Sequence, residues 1–208
     1  MNNFIDLTHT FTDDMPVYPG DPCSRLYKCA EISKDGSTDH KIESCMHVGT
    51  HIDAPFHMVE DGMIISDISA DKFQGRGVLI DARNTMVIDD DLLENIDIRE
   101  GDIVLVRTDW SKKYRTDDYF KEWPVFTVSF SKKLVELKIS VVGMDTGGPD
   151  MDDSFPAHKA LLPNDVLIIE NLDNLEALES VPNFRVHAYP VKYQADAAPV
   201  RVVAEVLE

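Results

Sequence analysis

The sequence predicts an α/β protein: a single compact domain with a mixed β-sheet core flanked by helices. Three observations lead there. Short apolar runs recur along the whole chain, the helical patterns between them are few, and no repeat, low-complexity tract or interdomain linker interrupts the 208 residues. That length suits one domain with room for a sizeable core. Strands interspersed with a few helices are the pattern of a mixed sheet.

Taken in order, Phe4 to Leu7 begins a short strand. The stretch Met15-Pro16-Val17-Tyr18-Pro19-Gly20-Asp21-Pro22 cannot be regular helix, because its prolines and glycine break one. It is an ordered loop if Tyr18 packs. The runs Val78–Ile80, Ile103–Val106, Ser140–Met144, Val166–Ile169 and Val200–Val206 read as strands, and Arg185–Val191 as another. Helical patterns cover Asp89–Ile96, Ser131–Lys138 and a short stretch near Leu175–Leu178, with Ser129 or Ser131 as the cap of the second.

Charge and composition narrow the classes. A net charge of −18 disfavours nucleic acid and anionic membrane surfaces as partners. No apolar run reaches the ~18 residues of a membrane span. The N-terminal MNNFIDLTHTF lacks the basic and apolar regions of a signal peptide. Cys23, Cys29 and Cys45 have no CxxC spacing and read as reduced thiols of a cytoplasmic protein. Cys45, at the same strand parity as His47, reads as a buried structural thiol.

The densest chemistry lies between His47 and His57, HVGTHIDAPFH. Imidazole and carboxylate without cysteine are the ligand set of a catalytic zinc or manganese site. In an extended segment His47, Gly49, His51 and Asp53 share one face, and Gly49 leaves room between the imidazoles. On a helix His47 and His51 would align and Asp53 would turn away. Val48, Thr50 and Ile52 are β-branched and Pro55 biases Ala54 against helix, which favours the strand or strand-to-loop reading. The alternative is a set of polar residues on a solvated strand.

Two later positions join the argument. Val166, Ile168 and Glu170 share one strand face, so an apolar strand ends in a carboxylate that needs a partner if buried; a solvent-exposed strand end fits the segment equally well. His158 follows Pro156 and gains meaning only beside Glu170 and the first cluster. Asp145-Thr146-Gly147-Gly148-Pro149 follows a strand, where functional loops gather, and also fits a plain turn. His9, His40 and His187 lack clustered partners and read as non-catalytic.

The segment His47-x-Gly49-Thr50-His51-x-Asp53-x-Pro55-x-His57 resembles the signature of the cyclase-like metal-dependent hydrolases, the family of bacterial kynurenine formamidase and isatin hydrolase. Supporting blocks are Asp6-Leu7-Thr8, Pro16 to Asp21, His158 to Leu162, Leu167 to Leu172 and Asp196 to Arg201. The resemblance implies a swivelling β/β/α fold and a homodimer. It implies two zinc ions per subunit, or manganese in some members. His47, His51 and Asp53 would bind one metal, Asp53 and Glu170 would bridge, His158 would complete the second, and His57 would be the acid/base. It further implies a small-molecule substrate whose amide C–N bond is hydrolysed. An aryl formamide such as N-formylkynurenine leads; a cyclic amide, lactone or isatin-type substrate is the alternative. A metal- or ligand-binding protein without turnover is a third class, against which His57 counts, since a binder needs no histidine beyond its ligands. The formamidase-like loop commonly carries Trp where this chain has Tyr18, and the segment after Asp145-Thr146 also differs. Tyr18 is expected to line the substrate pocket, in its own or a partner subunit.

Overall fold

The structure is a computed structural model and describes residues 3–207. Its strands are β1 (Phe4–Asp6), β2 (Arg25–Ala30), β3 (Asp39–Glu43), β4 (His51–Asp53), β5 (Gln74–Asp81), β6 (Val87–Ile88), β7 (Ile103–Arg107), β8 (Val125–Phe126), β9 (Val141–Met144), β10 (Leu167–Glu170), β11 (Phe184–His187), β12 (Ala197–Pro199) and β13 (Val203–Val206). Its helices are α1 (Ile32–Asp35), α2 (Val128–Glu136) and α3 (Pro156–Leu161), joined by short 3-10 turns. One mixed sheet runs in the order β1-β13-β11-β5-β7-β9-β10-β4-β12. The neighbours β5, β7, β9 and β10 are parallel, and the flanking pairs are antiparallel.

The parallel centre explains the apolar runs. Ile103 and Leu105 enter one core while Val104 and Val106 enter the other, and Val141 and Val142 divide in the same way. Strands buried on both faces need apolar residues at every position, so their sequence does not alternate. On one face α2 and α3 supply Phe130, Leu134, Ala157 and Leu161. The other face closes on itself: Ile52 and Ala198, from one end of the sheet, share a core with Val186 and Ala204 from the other.

The link between β12 and β13 requires this curl. They stand near opposite ends of the sheet, yet Pro199 and Val203 are close in sequence, which limits their separation to about 14 Å. The predicted strand Val200–Val206 is therefore two structures. Its first residues cross between sheet ends, with Val200 N–H donating to the Thr50 carbonyl at 3.1 Å and the Val202 carbonyl accepting from Leu7 N–H at 2.9 Å.

Other expectations need correction. The predicted helix Asp89–Ile96 is a single 3-10 turn, Asp90–Leu93. Asp89 caps it and Asn95, at φ 63°, ends the right-handed path. Leu175–Leu178 is likewise a 3-10 turn. Helix α2 begins earlier than expected and is capped by neither serine: the Thr127 hydroxyl accepts from Phe130 N–H at 3.0 Å. The predicted strand Arg185–Val191 ends at His187. The β2–β3 hairpin carries no signal because almost all of it is exposed or half-buried, so no apolar alternation marks it. Cys45 is exposed with Cys23 and Cys29, not a buried thiol, because the segment before His47 lies on the surface.

Gly77 in β5 shows how closely the curled sheet packs. A Cβ there would run into the Phe184 ring. Gly77→Ala is expected to lower stability by about 1–3 kcal/mol through overpacking. Phe184→Leu in the same chain should recover part of it, as read from urea midpoints; an unshifted midpoint in the single variant would show that the ring moves aside freely.

Candidate metal centre

Register builds the cluster. Antiparallel pairing of β10 with β4 sets Glu170 opposite His51 and Ile168 opposite Asp53. Alternation puts His51 and Asp53 on one face of β4, with His51 Nε2 3.4 Å from Asp53 Oδ1 and 3.3 Å from Glu170 Oε2. His158, in the first turn of α3, brings Nε2 to 3.2 Å from Glu170 Oε1 and 3.8 Å from Asp53 Oδ2. His47 Nδ1 lies 3.1 Å from Asp53 Oδ1. The residues singled out from sequence, His47, His51, Asp53, His158 and Glu170, thus converge.

His47 arrives by a different route from the one expected. It precedes β4 on an irregular turn in which Gly49 takes φ 71°. A left-handed residue there is natural for glycine. The turn aims the Gly49 carbonyl at His51, whose Nδ1–H donates to it at 2.8 Å. Gly49 therefore fixes the His51 tautomer instead of making room between imidazoles, and His51 Nε2 keeps its lone pair.

Asp150, directly after the Asp145–Pro149 segment, does the same for His158. Its carboxylate accepts from Ala157 N–H, His158 N–H and His158 Nδ1–H at 2.9, 2.9 and 2.8 Å. Asp196 opens the C-terminal block Asp196 to Arg201. Its Oδ2 lies 2.8 Å from His47 Nε2 and 3.2 Å from Nδ1 of His57, which follows β4 on the turn Pro55–His57. The Ala54 N–H to Asp196 carbonyl bond of 2.8 Å ties these segments together. Neither aspartate had a local signal, since each acts only through tertiary contact.

The donor set fits a divalent cation. His51 and Asp53 are fully buried, yet His51 Nε2 and both Asp53 oxygens lack a hydrogen-bond partner, although His47 Nδ1 stands 3.1 Å from Asp53 Oδ1. Unpaired buried polar atoms are costly, and a lone pair facing carboxylates repels them unless a cation lies between. Outer partners such as Gly49 and Asp150, holding the far ring nitrogens, are usual around metal-ligating histidines. The electrostatics of the cluster make the same demand for positive charge. Burial alone would lower His47 and His158, but carboxylates around them, Asp53 and Asp196 for His47, Asp150, Asp53 and Glu170 for His158, push both up to about 11. His57 is instead lowered, first by burial and then by the neighbouring histidines, with Asp53 opposing. Ligand-range groups are His47 with His51 and Asp53, Asp53 with His57 and His158, and His47 with His57 and Asp196. By distance alone, His57 can bind as well as move protons.

Above the cluster opens a cleft of about 360 Å³ with His47, His57, His158 and Glu170 at its floor. Tyr18, Trp123 and Phe155 line it. Tyr18 therefore lies at its own subunit's cleft, edge-on to Phe120 at 5.9 Å and Trp123 at 6.4 Å. A second cleft of about 410 Å³ holds Arg76, Arg83, Arg107 and Glu179 but no histidine, and its arginines pair with Asp102, Asp81 and Asp109 at 2.5, 2.6 and 2.6 Å. It offers no comparable chemistry. Asp145 does not line the metal cleft: its carboxylate accepts from Thr108 N–H and Oγ1–H at 2.9 and 2.6 Å. His9 stacks on Tyr114 at 3.7 Å, away from the cluster.

Fold and site together define an α/β protein with a buried histidine–carboxylate cation site at its strand ends. The "Putative cyclase" family model matches residues 5–151. Kynurenine formamidase of Salinibacter ruber is 30% identical, over 96% of this chain and 95% of its own length. Isatin hydrolase A from Labrenzia aggregata superposes with a TM-score of 0.87 at 29% identity, covering 99% of this chain and 94% of that one. A structure described as a potential metal-dependent hydrolase with cyclase activity gives a TM-score of 0.81 at 31% identity, over 99% and 98%. The chain belongs to the cyclase family.

Two outcomes test this geometry. Asp150→Asn should weaken metal binding by roughly 10–100-fold through loss of His158 orientation, measured by calorimetry with zinc; unchanged affinity would remove Asp150 from that role. Burial raises the Asp145 carboxyl from 3.8 to about 6, against its Thr108 hydrogen bonds. The folded state therefore holds more protons than the unfolded state between those values, so this group's contribution to stability falls as pH rises through that window and levels off above it. Asp145→Asn should flatten that slope, worth on the order of 2–3 kcal/mol, in denaturant titrations across the interval. A wild-type slope retained in the variant would assign it elsewhere.

Proposed function

We propose that this chain is a metal-dependent hydrolase of an amide C–N bond, acting on an aryl formamide with N-formylkynurenine as the first candidate. The observation that carries the reading is the set of unpartnered buried atoms of His51 and Asp53 beneath an aromatic cleft. The named relatives supply the reaction class. His47, His51 and Asp53 would hold one cation, and Asp53, His158 and Glu170 a second, with zinc preferred and manganese the alternative. A divalent cation supplies two things when bound: it lowers the pKa of water from 15.7 towards ~7, and it polarises the substrate carbonyl.

The chain's own residues do the rest. Tyr18, Trp123 and Phe155 hold the aryl ring and exclude water around it. Asp196 accepts from His57 Nδ1–H, leaving Nε2 as the basic nitrogen. His57 Nε2 takes the proton as water attacks the formyl carbon and returns it to the departing aryl nitrogen. The C–N bond breaks to give formate and an aryl amine. The likeness to isatin hydrolase A favours a second reading, in which the same steps open a cyclic amide.

We include a homodimer in the proposal, for which the exposed Ile32 and Ile42 of the hairpin region supply apolar surface. A reducing, cytoplasmic setting suits three exposed free thiols. No helix among the described residues is long and apolar enough to cross a membrane.

The deciding experiment is hydrolysis of formanilide, N-formylkynurenine and isatin by zinc- and manganese-reconstituted protein. Chelation should abolish turnover, and Glu170→Ala should lose metal. His57→Ala should keep its metal and lose roughly 10²–10⁴ in rate. Metal loss in that variant would make His57 a ligand, and near-normal turnover would remove it from the chemistry.

A further inference from the structure

The cleft carries charge in two layers. At its floor Glu170 and Asp150, and Asp53 just beneath, face imidazoles, and a bound cation would offset the unpaired charge. At its mouth stand three exposed carboxylates, Asp21, Asp152 and Asp153. Among the described residues no lysine or arginine lines the cleft. Lys159 acts on Asp152 from outside the lining, and with a net charge of −18 the chain as a whole supplies no opposing field. Between the layers the walls are the aromatic rings of Tyr18, Trp123 and Phe155, whose faces favour a cation over an anion.

We propose that Asp21, Asp152 and Asp153 form a charge filter at the cleft mouth, which favours aryl amides with a neutral or cationic distal end over those with a distal carboxylate. The proposal rests on the amide-hydrolase reading for its orientation, amide to the floor and distal substituent to the mouth. It has a specific consequence for N-formylkynurenine, whose side chain carries both an ammonium and a carboxylate. The ammonium meets the mouth favourably, while the carboxylate meets no cation on this chain. The decarboxylated analogue, with the same aryl formamide and only the amine, is the better match.

Exposed carboxylates acting through water over several ångströms should separate the two by roughly tenfold, and by less as salt is raised. The test compares kcat/KM for N-formylkynurenine and its decarboxylated analogue, in wild type and Asp152→Asn/Asp153→Asn, at low and high salt. Wild type should favour the analogue by about tenfold at low salt, and the ratio should shrink several-fold in the variant and at high salt. In parallel, calorimetry on metal-loaded protein measures binding of methanesulfonanilides, which are not hydrolysed, bearing a para aminomethyl or a para carboxymethyl group. The cationic member should bind more tightly, with the same dependence on salt and on the two aspartates. If no amide is cleaved, the hydrolase reading falls and the binding series still decides the filter. Equal or tighter binding of the carboxymethyl compound to wild type overturns it, as does a cation preference unchanged by the double substitution and by salt.

Discussion

The pairing of β10 with β4 is the constraint on which the rest of the site depends. Glu170 and His51 face one another across two strands that are buried along their lengths. A carboxylate in that position would be unfavourable by itself, and so would Asp53 beside it. A one-residue slip of either strand would turn these side chains to the opposite face. The apolar residues between them, Ile52 against Ile169 in the register, hold the alignment because they are needed in the core. The hydrophobic pattern that folds the sheet is thus the same pattern that positions His51, Asp53 and Glu170.

Around that pair, the outer residues hold ring orientation. Gly49 and Asp150 hold the far nitrogens of His51 and His158, and Asp196 holds those of His47 and His57. The cluster therefore has its nitrogens aimed before any ligand arrives, which spares the ordering cost that flexible side chains would incur. The left-handed turn at Gly49 and the carboxylate anchoring the start of α3 are backbone devices serving electrostatics.

How much of this was legible in the sequence follows from where each signal resides. β7, β9 and β10 were readable because burial on both faces leaves an uninterrupted apolar run. His51 and Asp53 were readable because strand alternation and ligand chemistry coincide in neighbouring residues. The β2–β3 hairpin was not readable, since exposed strands carry no burial pattern. His47 was placed on a strand because a left-handed φ at Gly49 cannot be told from an extended one by residue type alone. Asp150, Asp196 and Trp123 lie far from His51 in sequence, and only the tertiary fold brings them to the histidine cluster or the cleft above it.

That curl has a further consequence during synthesis. β4 is made early, but its partners β10 and β12 come much later, and Asp196 reaches His47 and His57 only when the far end of the chain has docked. A nascent chain therefore leaves both edges of β4 unpaired, with His51 and Asp53 unassembled, for most of translation. Contacts of such long sequence separation form slowly, and incomplete chains with open strand edges are prone to associate. The histidine–carboxylate cluster is correspondingly completed late, and truncated chains hold only some of its donor side chains.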